Sequence, residues 1–213
     1  MNARFSKRYR IAVLVAAWMV AIVSPAPLNA QNSQPIPAAL QKQILANPGI
    51  AILGSDKADV TIVEYLDYNC PFCKKLAPDF QTLVITDHGV AVIYKEWPIF
   101  GGVSVYAARS ALAAQWQGKY LRAHDVLISG PHLTQNEQVD AALQRSGIDM
   151  AQLKKDLVSH GPIIDSLLSR NHTEALELQL RGTPGVLIGG NVIPNASDLK
   201  DLQTAVAYVR HAH

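Results

Sequence analysis

Cysteine is almost absent from this sequence. Its 213 residues hold two, and both fall inside one tetrad, Cys70-Pro71-Phe72-Cys73. That scarcity excludes a scaffold stapled by several disulfides. There is no second C-x-x-C, and the nearest histidine, His88, lies at the far end of the helix expected after the pair, so a four-ligand zinc centre lacks its ligands. Basic clusters are missing after residue 30, which removes nucleic acid from the expected partners. Repeats and low-complexity tracts are missing too. The uncharged apolar run Ile11–Val23 falls short of the roughly 20 residues that a membrane-spanning helix needs.

What is present begins with that run. It follows Arg4, Lys7, Arg8 and Arg10 and precedes Pro25, Pro27 and Leu28-Asn29-Ala30, the layout of a secretory signal with cleavage expected after Ala30. No cysteine lies near the expected cut, which argues against a lipid anchor. The segment carries four of the 19 Lys and Arg and no acid, so the mature chain would hold 15 basic against 17 acidic side chains. The composition is globular, 49% hydrophobic and 17% charged, and the length suits one well-cored domain, or one domain with an insertion. Export places both thiols where disulfides persist.

Residues 31–36 read as loose, and 37–46 as a short helix stopped by Asn47-Pro48-Gly49. Val60–Leu66 reads as a strand. A helix starting at the cysteines follows, with Phe72, Leu76, Phe80, Leu83 and Val84 on one face and Pro78 expected to kink it. Val90–Trp97 reads as a second strand. Five helical stretches then fill 104–180, with Thr134 and Glu137 as a candidate capping box. Gly185–Pro194 reads as a hairpin with Gly189-Gly190 near its tip, and Ser197–Val209 as a closing helix capped by Ser197. Both strands beside the first long helix are apolar on both faces, so the expected architecture is α/β, a central sheet covered on both sides.

In this frame Cys70 sits at a helix N-terminus, with Pro71 at the first helical position that suits proline. Unpaired backbone N–H groups and the positive end of the helix favour the Cys70 thiolate. Cys73 lies one turn on, within reach of the first sulfur. Such a pair can exchange disulfides: Cys70 forms a mixed disulfide and Cys73 resolves it. Two alternatives stay open here. A structural disulfide is disfavoured, because so small a loop restrains the unfolded chain little. Two thiolates are also able to hold a soft ion such as Cu(I), with Met150 as a candidate further ligand.

The segment VEYLDYNCPFCKK resembles the strand, turn and helix start of the DsbA-like family of exported thiol-disulfide oxidoreductases. CKKLAP is similar to the helix of thioredoxin, Pro78 included, and RGTPGVLIGG to the segment with the fold's cis-proline and hairpin. The helical block between the two halves resembles the family's insertion, and the stretches around the strands look most like the ScsC-type subgroup. The resemblance implies a thioredoxin-like fold with an inserted helical domain. It divides the chain into a signal (1–30), an N-terminal extension with a short helix (31–58), a thioredoxin-like domain (59–102 and 181–213) and the insertion (103–180).

The resemblance also implies roles. Cys70 is the nucleophile and Cys73 the resolving thiol. Thr183-Pro184 carries the cis peptide and, with Pro71 and Phe72, faces an extended substrate chain; the sequence alone would read it as an ordinary turn. Glu64 is the buried acid that relays a proton for Cys73; a strand-end glutamate reaching solvent is the alternative. Lys95 is a candidate partner for Glu64, or a surface lysine. Phe72 either packs on the helix's apolar stripe or tunes the thiolate. It brings no imidazole to the sulfur, which leaves the direction of the reaction open. Asn195 stands where relatives tend to have glycine, and asparagine tolerates the left-handed conformation. His211 and His213 read as a tail. The implied protein is periplasmic, needs no organic cofactor or metal, and works on exported cysteine-containing proteins with a membrane redox partner. An isomerase or reductase of this fold would gain its clamp by oligomerising. The roughly 30 mature residues before Val60 are too few for an added domain, although the helix at 37–46 could self-associate.

Overall fold

A computed structural model describes residues 33–46 and 52–211. The expected signal, the Asn47-Pro48-Gly49 stop and His213 lie outside the described residues. The elements run β1 (Gln34–Pro35), α1 (Ala38–Leu45), β2 (Ile52–Gly54), β3 (Val60–Leu66), α2 (Pro71–Thr86) and β4 (Val90–Glu96). The helical block follows as α3 (Gly102–Ala113), a 3-10 turn (Ala114–Gln117), α4 (Tyr120–Ser129), α5 (Asn136–Arg145), α6 (Met150–Ser159) and α7 (Gly161–Glu177). A hairpin of β5 (Gly185–Ile188) and β6 (Asn191–Ile193) leads into α8 (Leu199–His211).

Among the described residues six strands form one sheet in the order β1-β6-β5-β3-β4-β2. β3 runs parallel to β4 and antiparallel to β5. Both central strands are rich in β-branched residues and buried on both faces, as their continuous apolar pattern requires. Alternation along β3 and β4 then sorts side chains to opposite faces. Val60, Ile62, Leu66, Val92 and Tyr94 face a core shared with α2, α8 and the helical block. Val63, Tyr65, Ile93 and Trp97 face a smaller core closed by Ile44 of α1 and Ala175 of α7. Glu64 stands beside Tyr94, and Tyr65 beside Lys95.

The hairpin tip has a strict requirement. Gly189 and Gly190 both have positive φ, 54° and 81°, as a two-residue hairpin turn demands. A Cβ on Gly189 would also overlap Val209 Cγ1 of α8. Gly189→Ala is therefore expected to cost about 1–3 kcal/mol, read as a lower urea midpoint with unchanged slope; a loss within error would show that α8 yields freely.

Several local expectations need correction. Residues 31–36 are not all loose, because Gln34–Pro35 pairs with β6. β2 pairs with β4, in a strand too short for its pattern to be read. The box at the start of α5 is set one residue later than Thr134 and Glu137. Gln138 Oε1 accepts from the backbone N–H groups of Thr134 (2.7 Å) and Gln135 (3.1 Å), and Gln135 is the capping residue. At α8, Asp198 rather than Ser197 accepts the first-turn N–H, from Asp201 at 2.9 Å. Ser197 instead donates to the Asp201 carboxylate. Asn195 has φ 58°, the left-handed conformation expected of it.

Candidate active site

Asp67 shapes the turn between β3 and α2. Its carbonyl accepts the Cys70 N–H at 3.0 Å. Its carboxylate accepts from Asn69 N–H (2.7 Å), Ile99 N–H (2.7 Å) and Phe100 N–H (2.9 Å), which pins the loop after β4 to the cysteine turn. Asn69 exchanges two hydrogen bonds with the backbone of Leu133 in the insertion. Lys74 donates to the carbonyls of Leu127, Ile128 and Gly130 at the end of α4. The first turn of α2 is thus held by the loop after β4 and by the end of α4 with the residues that follow it.

Cys70 caps α2 and Pro71 is its first helical residue, as read from the sequence. Both cysteines are free thiols and buried. The peptide Thr183–Pro184 is cis, and the Thr183 carbonyl accepts from Cys70 Sγ at 3.0 Å. The Cys73 thiol donates to the Cys70 sulfur. With further hydrogen bonds from the Thr183 side chain and from the N–H groups of Cys73 and Phe72, it brings the Cys70 pKa down to about 6 against the cost of burial. Cys73 moves the other way. Burial raises its pKa, and the hydrogen bond to Cys70 and the charges of Glu64 and Cys70 raise it further. Near neutral pH one sulfur is a thiolate and its neighbour a thiol, the division that disulfide exchange needs.

Glu64 does not reach solvent at a strand end. It lies in the middle of β3 between β4 and β5, 1% exposed. Burial, and then the Cys70 charge, push its pKa up to about 8, while a hydrogen bond with Cys73 pulls the other way. A carboxyl that changes charge near neutral pH beside a buried thiol can exchange a proton with it.

Lys95 is not the partner of Glu64. Register puts it beside Tyr65, on the opposite face. There its Nζ meets Glu174 Oε2 at 2.6 Å, with both side chains fully buried and Tyr65 Oη donating to the same oxygen at 2.9 Å. Phe72 does not pack on the apolar stripe either. It is 67% exposed, and the buried face of α2 starts at Cys73 and Leu76. Its position on the outer side of the first turn, beside an exposed Pro71, explains this. Ile99 and Phe100, also exposed, were not read from the sequence as site residues. Asp67, Asn69 and Lys74 were missed too, because their partners lie far along the chain. Glu96 could have been found by the signal that marked Glu64, a carboxylate in an apolar strand. Among the described residues no group of three or more His, Cys, Asp or Glu is placed to hold a metal ion.

A sheet of this order, with a low-pKa cysteine capping the first long helix and a cis-proline against its sulfur, defines a thioredoxin-type dithiol site. The particular family follows from comparison with known proteins. The model of the DSBA-like thioredoxin domain matches residues 61–207. This chain belongs to that family. It is similar to a thioredoxin-like oxidoreductase of Silicibacter pomeroyi DSS-3, with 34% identity, a TM-score of 0.77, and 81% of this chain and 99% of that one covered. The thiol-disulfide exchange protein alpha-DsbA2 of Wolbachia pipientis follows at 26% and 0.74, covering 79% of this chain and 91% of that one. A probable disulfide bond formation protein D of Bacillus anthracis is 27% identical over 162 residues, 70% of this chain and 74% of that protein. The chain also matches the Na(+)/H(+) antiporter NhaA 3 of Salinispora tropica at 25% identity, where it spans only 24% of that protein's length.

Proposed function

We propose that the protein is a periplasmic thiol-disulfide oxidoreductase that passes a disulfide to exported proteins. The observation that carries this reading is the place of Cys70 at the N-terminus of α2, with its sulfur 3.0 Å from the carbonyl of the cis Thr183–Pro184 peptide and Cys73 one turn on. The lowered Cys70 pKa and the raised Cys73 pKa agree with it. A client thiolate attacks Cys70 of the Cys70–Cys73 disulfide. The Cys70–client bond forms, the Cys70–Cys73 bond breaks, and Cys73 leaves with the electron pair and takes a proton from Glu64. A second client thiolate then attacks the client sulfur of the mixed disulfide. The client disulfide forms and Cys70 leaves as its stable thiolate. The client is oxidised and the cysteine pair reduced, so a membrane redox partner must re-oxidise the pair.

The lack of an imidazole next to Cys70 does not argue against this direction, because neighbouring thiol and backbone donors stabilise the thiolate instead. The exposed Pro71, Phe72, Ile99 and Phe100 offer an apolar platform beside the sulfur, and the backbone at Thr183-Pro184 offers hydrogen bonds to an extended client strand. The signal-like start supports export. No helix among the described residues is long and apolar enough to cross a membrane.

The test mixes the oxidised protein with a reduced two-cysteine peptide and follows free thiols by alkylation and mass. One client disulfide should form for each Cys70–Cys73 pair reduced. No transfer, together with a pair that rests reduced in acid-quenched cells, would replace this reading with that of a reductase or isomerase. In the same assay Glu64→Gln should slow release of Cys73 by roughly tenfold to a thousandfold, the span of general acid–base effects around its lower end, and flatten the pH profile near 8. An unchanged rate and profile would remove Glu64 from the mechanism.

A further inference from the structure

A second buried polar cluster lies under the cysteine turn, and the exchange chemistry uses none of it. Glu96, at the end of β4, is fully buried on the same sheet face as Glu64. Its Oε1 accepts from Tyr120 Oη at 2.6 Å and from Tyr68 Oη at 3.2 Å. Its Oε2 is buried without a hydrogen-bond partner. Among the described residues no cation forms an ion pair with it: Lys95 points to the other face and pairs with Glu174, and its charge is only the last of the influences that hold the Glu96 pKa down. Tyr68 lies two residues before Cys70 and has a second neighbour at equal range, His124 Nδ1 at 3.2 Å. His124 belongs to α4 and stacks on Tyr94.

We propose that Glu96 is a positioning residue for Cys70. It decides whether Tyr68, and with it the cysteine turn, is bonded to the sheet through Glu96 or to the insertion through His124. The chemistry of a single hydroxyl proton supports this. Tyr68 has one proton to donate and two acceptors. An ionised carboxylate is the stronger acceptor and keeps Tyr68 on β4. Once Glu96 is protonated, the neutral imidazole nitrogen becomes the better acceptor and draws Tyr68 toward α4.

The groups around Glu96 leave it free to be the switch. Tyr68 and Tyr120 face it directly, Tyr94 and Glu64 share its sheet face, and His124 faces it through Tyr68. From α7 the Asn171 amide donates to the Glu96 carbonyl. The three phenols are all raised, chiefly by burial. Burial holds His124 down to about 3, so its ring is neutral, and its Nε2–H tautomer accepts at Nδ1. Burial, opposed by the Tyr120 hydroxyl, the Glu96 backbone N–H, the Tyr68 hydroxyl and the charge of Lys95, brings Glu96 up to about 7. Between pH 6 and 8 the groups here that change charge are Glu96 and Glu64.

The proposal takes its purpose from the exchange reading, but its test does not depend on disulfide transfer. In the full chain carrying Glu64→Gln, thiolate absorbance at 240 nm gives the fraction of Cys70 ionised at each pH. The rate of iodoacetamide alkylation, with Cys70 confirmed as the target by mass, is divided by that fraction. The rate per thiolate is expected to step by roughly threefold to tenfold with a midpoint near 7. It should be higher below the midpoint, because the sheet-bound turn keeps Cys70 only 1% exposed. Adding Glu96→Gln or Tyr68→Phe should flatten the step, and Tyr120→Phe should move its midpoint upward. If Glu96→Gln fails to fold, Tyr68→Phe decides alone, since it removes one hydroxyl and no charge. A flat profile in the Glu64→Gln protein, or a step that survives Tyr68→Phe, would overturn the proposal.

Discussion

Cys73→Ala should raise the pKa of the Cys70 thiol by about one to two pH units, because it removes the largest stabiliser of the thiolate, and a hydrogen bond to a charged group is worth about 1.5–3 kcal/mol. The same variant, mixed with a client disulfide, should accumulate the Cys70–client mixed disulfide, since nothing remains to resolve it. Absorbance at 240 nm and the mass of the trapped adduct check the two halves separately. A pKa that stays near 6 would assign the stabilisation to the helix end and the backbone N–H groups alone. The sign for stability follows from the same shift. The folded Cys70 pKa lies below its ordinary value of 9.0. The reduced protein therefore gains stability that is complete above about pH 9 and lost as pH falls through about 6. The disulfide form has no thiol to titrate. The melting point of the reduced form relative to the oxidised form should thus be higher at pH 8 than at pH 5. A gap independent of pH would detach the thiolate from the energetics of the pair.

The second large effect is remote from the sulfurs. Lys95→Met should cost about 3–5 kcal/mol, because it leaves the Glu174 carboxylate buried with only the Tyr65 hydroxyl as donor. The double variant Lys95→Met, Glu174→Leu should recover most of that loss, since replacing both charges by apolar groups removes the desolvation penalty as well as the attraction. Urea unfolding at constant slope measures both. A single-variant loss below about 1 kcal/mol would put this pair in the class of surface ion pairs, against its complete burial.

These two cases mark what could be read from the sequence. Cys70 and Cys73, the proline at the helix start and the glycine pair of the hairpin each carry their meaning within four residues, so short-range chemistry identifies them. The apolar strands and the helical block follow from periodicity. Glu64 was legible because a charge in an apolar strand stands out, and Glu96 offered the same signal. Lys95 was misassigned because register, not proximity along the chain, sets its face. Its partner Glu174 arrives on α7, the last helix of the insertion. Phe72 was half misread because helical spacing cannot tell a first-turn residue, which has no neighbouring turn above it, from one in the middle of the stripe. The cis geometry at Thr183–Pro184 came from resemblance, since most X–Pro bonds are trans.

The sheet order carries one further consequence. Its two outermost strands, Gln34–Pro35 and Ile52–Gly54, both come from the short stretch ahead of the first central strand. One stretch of chain therefore seals both flanks of the sheet, with strands of two and three residues and a proline at one flank. A fragment beginning at Val60 would keep the dithiol, the cis-proline and the insertion. It would also uncover the backbone donors and acceptors of Ala91–Ile93 and Asn191–Val192 together, two open templates for intermolecular pairing. The stretch that looks most dispensable for catalysis is the one that keeps neighbouring copies from adding strands to each other.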